Sequence, residues 1–272
     1  MSFQLLLVGS GNMGSAMLKG WVEKKLSLKT ITVIEPNIAK AESIKDNYNV
    51  TTLNSASELA LDFMPEVIIF AIKPQIMDAV ICSYKKHVTS ETLIISIAAG
   101  KNLAYLENNL SEKTSIIRAM PNTPAAVNRA ITVACSNANV KEIHYGYFND
   151  LFKIIGLVEW INDESFIDVI TALSGGGPAY VCLLVEYLAT AGKNAGLPED
   201  LAMRLSRATV SGAGELLHQS VENVTTLRSN VTSPGGTTEA ALKVLMSDNV
   251  LQSKFDKAIS SAASRSRQLA KI

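Results

Sequence analysis

Gln4-Leu5-Leu6-Leu7-Val8-Gly9-Ser10-Gly11-Asn12-Met13-Gly14 is the stretch that decides the fold. An apolar run of strand length enters glycines spaced G-x-G-x-x-G, and a helix is expected from Ser15 to about Lys25. A second strand follows at Ile31–Ile34. Strand, turn, helix and strand thus fit within about 30 residues, the context that gives an otherwise weak motif its meaning. Gly9 permits the tight turn, Gly11 lets backbone approach a diphosphate, and Gly14 lets helix and strand pack closely. Unpaired N–H groups at the helix start then face an anion with favourable dipole sign. Glu35 ends the second strand, about 20 residues on, where an acid accepts hydrogen bonds from an adenosine ribose 2′-OH. That favours NADH, because a 2′-phosphate would be repelled unless the side chain turns away. Pro36 to Lys40 contain no Arg. The plain alternative for Glu35 is a strand-end carboxylate in solvent.

Outward from this unit, short β-rich runs alternate with helical stretches. Strands are expected at Gln4–Val8, Ile31–Ile34, Val50–Thr52, Val67–Ile72, Leu93–Ile97, Ser115–Arg118, Ile131–Cys135 and Leu157–Trp160. Several are unbroken apolar runs, as in Val67-Ile68-Ile69-Phe70-Ala71-Ile72, which suits strands covered on both faces. Ser55 with Glu58 reads as a capping box opening a helix. After about Asp163 the strand signals cease. Pro178 opens a long apolar helix ending near Gly196, and Pro198-Glu199-Asp200 starts another, to about His218. Thr237–Met246 and Val250–Lys271 complete the set. The expected architecture is an α/β Rossmann-like domain with a doubly wound, mostly parallel sheet over residues 1–163. An all-α domain for substrate binding and dimerisation follows over residues 164–272.

Composition narrows the function classes. Apolar residues make up 47% of the 272, enough for a sizeable core. Lys plus Arg equals Asp plus Glu at 25 each, so no field attracts a nucleic acid. Cys82, Cys135 and Cys182 are far apart, with no metal-ligand spacing, and read as small buried thiols in a reducing cytoplasm. The residues before the glycines are not expected to be a leader, lacking a positive start and a small-residue cleavage site. No run reaches the ~18 apolar residues of a membrane span; the nearest, Ala179–Ala191, is interrupted by Glu186. The helix Ala179–Ala195 is apolar on nearly every face and must be buried. A small helical domain cannot easily bury it within itself, so a second copy of the chain is expected to cover it.

Two loops are richer than structure alone demands. Arg118-Ala119-Met120-Pro121-Asn122-Thr123-Pro124 follows a strand. Asn230-Val231-Thr232-Ser233-Pro234-Gly235-Gly236-Thr237-Thr238 precedes a helix and offers N–H groups and hydroxyls to a carboxylate. With these residues the chain resembles the pyrroline-5-carboxylate reductases over its whole length. The resemblance is carried by Gly9–Gly14, Ala71-Ile72-Lys73-Pro74, Ser96-Ile97-Ala98-Ala99-Gly100, Arg118–Pro124, Leu173-Ser174-Gly175-Gly176-Gly177-Pro178-Ala179-Tyr180, and Ser233-Pro234-Gly235-Gly236-Thr237 with its following Glu239-Ala240-Ala241-Leu242. Gly176 stands where many members have Ser, and Glu35 where members often have a small polar residue.

The resemblance implies NADH or NADPH as cofactor, often NADPH in the family, and 1-pyrroline-5-carboxylate as substrate, reduced to proline. It implies that Gly9, Ser10, Gly11, Asn12, Met13 and Gly14 hold the diphosphate, with Glu35 and Ser55 near the adenosine. Ala71, Lys73 and Ala98 would approach the nicotinamide, with Asn230 reaching from the helical domain. Ser233, Gly235, Gly236, Thr237 and Thr238 would hold the substrate carboxylate, and Thr238 would hydrogen-bond the ring nitrogen. The active site would include helices of a partner subunit. No metal is implied.

The remaining polar residues fit that chemistry, since a cyclic imine is basic enough to need no strong protein acid. His87, His144 and His218 form no triad; His218 reads as a helix-end cation. Lys73 reads as a strand-end lysine, and Asp163, Glu164 and Asp168 as a solvated face. Three alternatives stay open. A reductase of another cyclic imine is one. A β-hydroxyacid dehydrogenase of the same two-domain plan would generally use a Lys on the first interdomain helix, and Leu173–Ala191 has none. A nucleotide sensor without turnover would have no use for a carboxylate cradle.

Overall fold

The computed structural model describes residues 3–26 and 30–269. The end expected for the last helix, Lys271, lies outside them. Residues through Gly176 together with those from Ala262 form one compact unit, and Gly177–Ser261 a second.

The first unit is built on one sheet of eight strands: β1 (Gln4–Val8), β2 (Thr30–Ile34), β3 (Thr51–Leu53), β4 (Val67–Phe70), β5 (Leu93–Ser96), β6 (Ser115–Met120), β7 (Ala130–Ser136) and β8 (Gly156–Trp160). Their order is β3-β2-β1-β4-β5-β6-β7-β8. All pairs are parallel except β6 with β7, where Ala119 opposes Ala134. All eight expected strands are present, with ends displaced by a residue or two. The unbroken apolar runs arise because successive side chains enter two separate cores. Leu5, Leu7 and Ile69 pack with Met17, Trp21 and Phe148 on one face. Leu6, Ile68 and Phe70 pack with Met77, Tyr84 and Leu106 on the other.

Five helices accompany the strands: α1 (Asn12–Glu23), α2 (Ile38–Tyr48), α3 (Pro74–Val80), α4 (Leu103–Asn109) and α5 (Glu142–Phe152). The chain turns from one side of β1 to the other between β3 and β4. The crevice where ligands bind in such sheets therefore lies at the carboxyl ends of β1 and β4.

After β8 come α6 (Ile167–Ile170) and a widened turn of π pitch, Thr171–Gly175, then α7 (Gly177–Asn194). Pro178 stands in the first turn of α7, as the sequence places it, and the chain before it is helical too. A proline has no N–H for the carbonyl four residues earlier. That carbonyl, of Ser174, accepts from Asn122 Nδ2 at 3.2 Å instead, while Gly176 N–H reaches back to Thr171 O at 2.9 Å. The second unit holds α7, α8 (Glu199–Gln219), α9 (Val224–Asn230), α10 (Thr237–Leu245) and most of α11 (Val250–Leu269). Helix α9 has no counterpart in the sequence reading.

Three further expectations are corrected, and one buried histidine stands out among them. Ser55 and Glu58 open no α-helix: Ala56–Glu58 is a single 3₁₀ turn, and Glu58 Oε1 accepts from Asn54 N–H at 3.2 Å. Cys135 is buried, but Cys82 and Cys182 are exposed. His87 lies in a polar stretch yet is fully buried, its Nδ1 2.9 Å from Phe63 O. Of the acidic trio, Asp163 is solvated as expected, whereas Glu164 and Asp168 are half-buried and paired. Glu164 accepts from Arg118 Nη1 at 2.7 Å and from Leu103 N–H at 2.9 Å, Asp168 accepts from Ser266 Oγ at 2.5 Å, and Asp163 caps Ser165 N–H at 2.9 Å. These bonds, with Ile167 fully buried, explain why the stretch before Gly176 belongs to the first compact unit.

Candidate active site

The turn after β1 is shaped by what its glycines meet. Gly9 has φ +90°, and a Cβ there would stand 2.5 Å from Ile72 Cγ2 and 2.8 Å from Ala71 O. A Cβ on Gly14 would collide with the carbonyl of Gly9. Gly11 differs: nothing lies within 4 Å of its Cβ position. It is the N-cap of α1, and no side chain caps that helix. The first N–H groups of α1 thus open onto space that a methyl would fill, an arrangement that fits a diphosphate. Gly11 and Asn12 are exposed, Met13 is half-buried and Ser10 is fully buried.

Ser10 and Glu35 are brought together. The Ser10 hydroxyl donates a short hydrogen bond to Glu35 Oε2, and Asn37 N–H donates to Oε1 at 3.0 Å. Lys40 Nζ lies 3.7 Å from Oε2 and donates a short hydrogen bond to Ser10 O. Burial alone would raise the Glu35 pKa. The Ser10 hydroxyl, the Asn37 N–H and the Lys40 charge outweigh it and hold the carboxyl below its ordinary range. Glu35 is 9% exposed, so the plain alternative of a solvated carboxylate does not describe it. Asn54 Nδ2 donates to Glu35 O at 3.0 Å, which places Ser55, half-buried, one residue from this cluster.

The residues assigned to the nicotinamide side occupy the next two strand ends. Ala71 N–H donates to Val8 O at 2.8 Å, setting Ala71 beside the glycine turn. Lys73 is exposed and is the N-cap of α3. Ala98 is buried after β5. Lys101, also buried, pairs with Asp78 of α3 at 3.1 Å and lies 4.4 Å over the Tyr105 ring, so the two loops are tied together. Glu164 ties the second of them to β6 through Leu103 and Arg118. Asn122 serves two backbones, donating to Ser174 O and accepting from Ile131 N–H at 3.0 Å.

In the second unit, Ser233 to Thr238 form the turn into α10. Gly235 has φ +70°. Its N–H donates to Glu239 Oε2 at 2.8 Å, and Gly236 N–H donates to Ser233 O at 2.9 Å. Both glycine N–H groups are therefore engaged within the loop, and the N–H groups expected to meet a carboxylate are those of Thr237 and Thr238. No side chain caps α10, whose N-cap is Gly236. Ser233, Gly235 and Thr237 are exposed, and Gly236 and Thr238 half-buried. Asn230 ends α9, exposed, with Nδ2 3.4 Å from Glu222 Oε2.

Lys40 and Glu239 are the site residues that sequence reasoning passed over. The signal for Lys40 was Asn37, whose Oδ1 caps Lys40 N–H at 3.0 Å. An Asn cap puts the residue three on at the position whose side chain points back toward the cap. His144 caps Lys141 N–H at 3.2 Å, and its burial lowers its pKa. Among the described residues no cluster of metal-ligand type occurs.

Residues 164–269 match the family described as "Pyrroline-5-carboxylate reductase dimerisation", and residues 4–100 the one described as "NADP oxidoreductase coenzyme F420-dependent". The chain is 36% identical over 272 residues to a pyrroline-5-carboxylate reductase of Synechocystis, covering all of both chains. It is 33% identical over 267 residues to that of Pseudomonas aeruginosa, covering 98% of this chain and 97% of the relative. Among solved structures, the Coxiella burnetii enzyme matches with a TM-score of 0.91 at 33% identity over all of both chains. A Plasmodium falciparum pyrroline carboxylate reductase, solved with NADP bound, matches at 0.83 and 32% identity over 98% of both.

Proposed function

The chain belongs to the pyrroline-5-carboxylate reductase family, and on that premise we propose how its own residues carry out the reaction. It is an NAD(P)H-dependent oxidoreductase that reduces the C=N bond of 1-pyrroline-5-carboxylate, giving proline. The bound reduced nicotinamide supplies a hydride to the imine carbon. The residues Gly9 to Gly14 hold the diphosphate, with the α1 N–H groups as donors. Glu35 and Ser55 lie at the adenosine, and Ala71, Lys73, Ala98 and Asn230 at the nicotinamide. The uncapped start of α10 is the observation that carries the substrate assignment. Thr237 and Thr238 present N–H groups and hydroxyls to the carboxylate, while Ser233, Gly235 and Gly236 set the turn. Thr238 Oγ1 hydrogen-bonds the ring nitrogen, which gains electron density as hydride arrives. The iminium form brings its own proton, so no histidine or lysine is needed as acid. The protein's contribution is mainly positioning, worth on the order of 7 kcal/mol at best.

The functional division falls at residues 1–163 for the cofactor and 164–272 for substrate and self-association. The chain is a homo-oligomer. Only Ala189 of α7 is buried, while Val181, Leu184 and Tyr187 are exposed. The helical stretch Glu164–Asn194 is long and apolar enough to cross a membrane by length and composition. Because the dimerisation family matches the same residues, we assign that face to a second copy rather than to lipid. Membranes and nucleic acids are not partners in this reading, and the enzyme works in the cytoplasm.

Steady-state turnover of pyrroline-5-carboxylate with NADH and NADPH in parallel, for the wild type and Thr238→Ala, tests these roles. Turnover of the variant should fall at least about tenfold with cofactor affinity kept, since a hydrogen bond that strengthens in the transition state raises the rate. Equal turnover removes Thr238 from the mechanism.

A further inference from the structure

Glu35 sits where an adenosine ribose is expected, yet its carboxylate is neither free nor alone. One oxygen takes the Ser10 hydroxyl and the other the Asn37 N–H. The neighbouring cation is Lys40, with its side chain 41% exposed against 12% for Glu35. Lys40 touches both partners of the cluster, the Glu35 carboxylate at 3.7 Å and the carbonyl of Ser10 in the glycine turn. The pair is therefore neutral overall, with its positive member on the outer side. A bare carboxylate there would repel a 2′-phosphate, whereas a carboxylate drawn inward beneath an ammonium group presents a cation to it.

We infer that Lys40 sets this chain's choice between NADH and NADPH, by pairing with Glu35 so that a 2′-phosphate is accepted beside an otherwise repelling carboxylate. The inference rests on the reading that places the adenosine at Glu35. Lys40 acts here as a specificity residue, reached through the fold rather than through the usual arginine after the second strand.

The test is calorimetric titration of the full-length protein with adenosine 2′,5′-bisphosphate and with AMP, repeated with NADPH and NADH. Lys40→Met should weaken the bisphosphate and NADPH about tenfold and AMP and NADH less than about threefold. Lys40→Arg should keep wild-type discrimination. In Glu35→Gln/Lys40→Met both charges are gone, and bisphosphate affinity should return to within about threefold of wild type, the coupling a double-variant cycle isolates. Melting without ligand checks that each variant folds. Equal weakening of AMP and bisphosphate by Lys40→Met would overturn the inference, since it would make Lys40 a brace of the glycine turn. A Glu35→Gln variant that shifts discrimination while Lys40→Met does not would overturn the role of Lys40 alone. If Glu35→Gln leaves both fragments unchanged, the adenosine is not at Glu35, and reading and inference fall together.

Discussion

Alanine at each fingerprint glycine should fail in a different way, and the differences follow from what each Cβ would meet. At Gly9 the cost comes from the protein itself. A positive φ of +90° strains an L-residue, and the new methyl would stand 2.5 Å from Ile72 Cγ2 and 2.8 Å from the backbone oxygen of Ala71. The Ile72 side chain could shift, but the Ala71 carbonyl belongs to the turn after β4 and cannot move without moving the crevice wall. Left-handed strain of roughly 1–2 kcal/mol plus the overlap gives a loss of about 2–4 kcal/mol for Gly9→Ala. For a unit of this size that lowers Tm on the order of 5–10 °C. Gly11→Ala meets nothing within 4 Å and has a negative φ, so only a cap preference of at most about 1 kcal/mol is at stake. Its methyl instead occupies the space opened for the diphosphate, and dinucleotide Kd should rise at least tenfold, about 1.4 kcal/mol. The assay pairs urea denaturation with dinucleotide titration of each variant. Gly11→Ala with unchanged affinity would show that the diphosphate does not approach this turn. A neutral Gly9→Ala would refute the packing argument.

Four other outcomes are expected. Thr238→Ala lowers kcat with little change in dinucleotide affinity, as single-turnover rates and titration would reveal. Glu35→Ser removes the carboxylate and leaves Lys40 unpaired, so the ratio of NADPH to NADH affinity rises; an unchanged ratio means that Glu35 does not face the ribose. Because its pKa is depressed in the folded protein, Glu35 stabilises the fold above its ordinary 4.5, and this contribution fades as pH falls below it. Glu35→Gln should therefore lose less stability than wild type as pH falls below 4.5 in urea titrations. Leu184→Glu, on the exposed apolar face of α7, should shift the mass in light scattering toward monomer on dilution. A mass that stays fixed takes Leu184 out of the interface.

The sheet was legible in the sequence because its strands are covered on both faces. Val67 to Phe70 is apolar without a break since Ile68 and Ile69 enter different cores. The glycine turn was legible because its spacing is dictated by backbone geometry. What escaped depends on contacts between distant segments. Glu164 read as solvated, yet Arg118, 46 positions earlier, supplies its partner. Pro178 was legible as the opening of α7, but the helical turns before it were not, and their Ser174 carbonyl is served by Asn122 from a distant loop. Lys40 was one more basic residue on α2 until the cap at Asn37 turned it back toward Ser10. The Ser233–Thr238 turn was legible from its glycines and hydroxyl residues, but the reach of Glu239 to Gly235 N–H is encoded by no pattern of residue types.

The proposed reaction delivers hydride from the reduced cofactor to the imine carbon of pyrroline-5-carboxylate. Running the reaction with a cofactor carrying two deuterons at nicotinamide C4, and analysing the proline by mass spectrometry and NMR, follows that hydride. One deuterium per proline is expected, on the ring carbon formerly double-bonded to nitrogen. Proline formed without the label, or with deuterium at any other carbon, would contradict it.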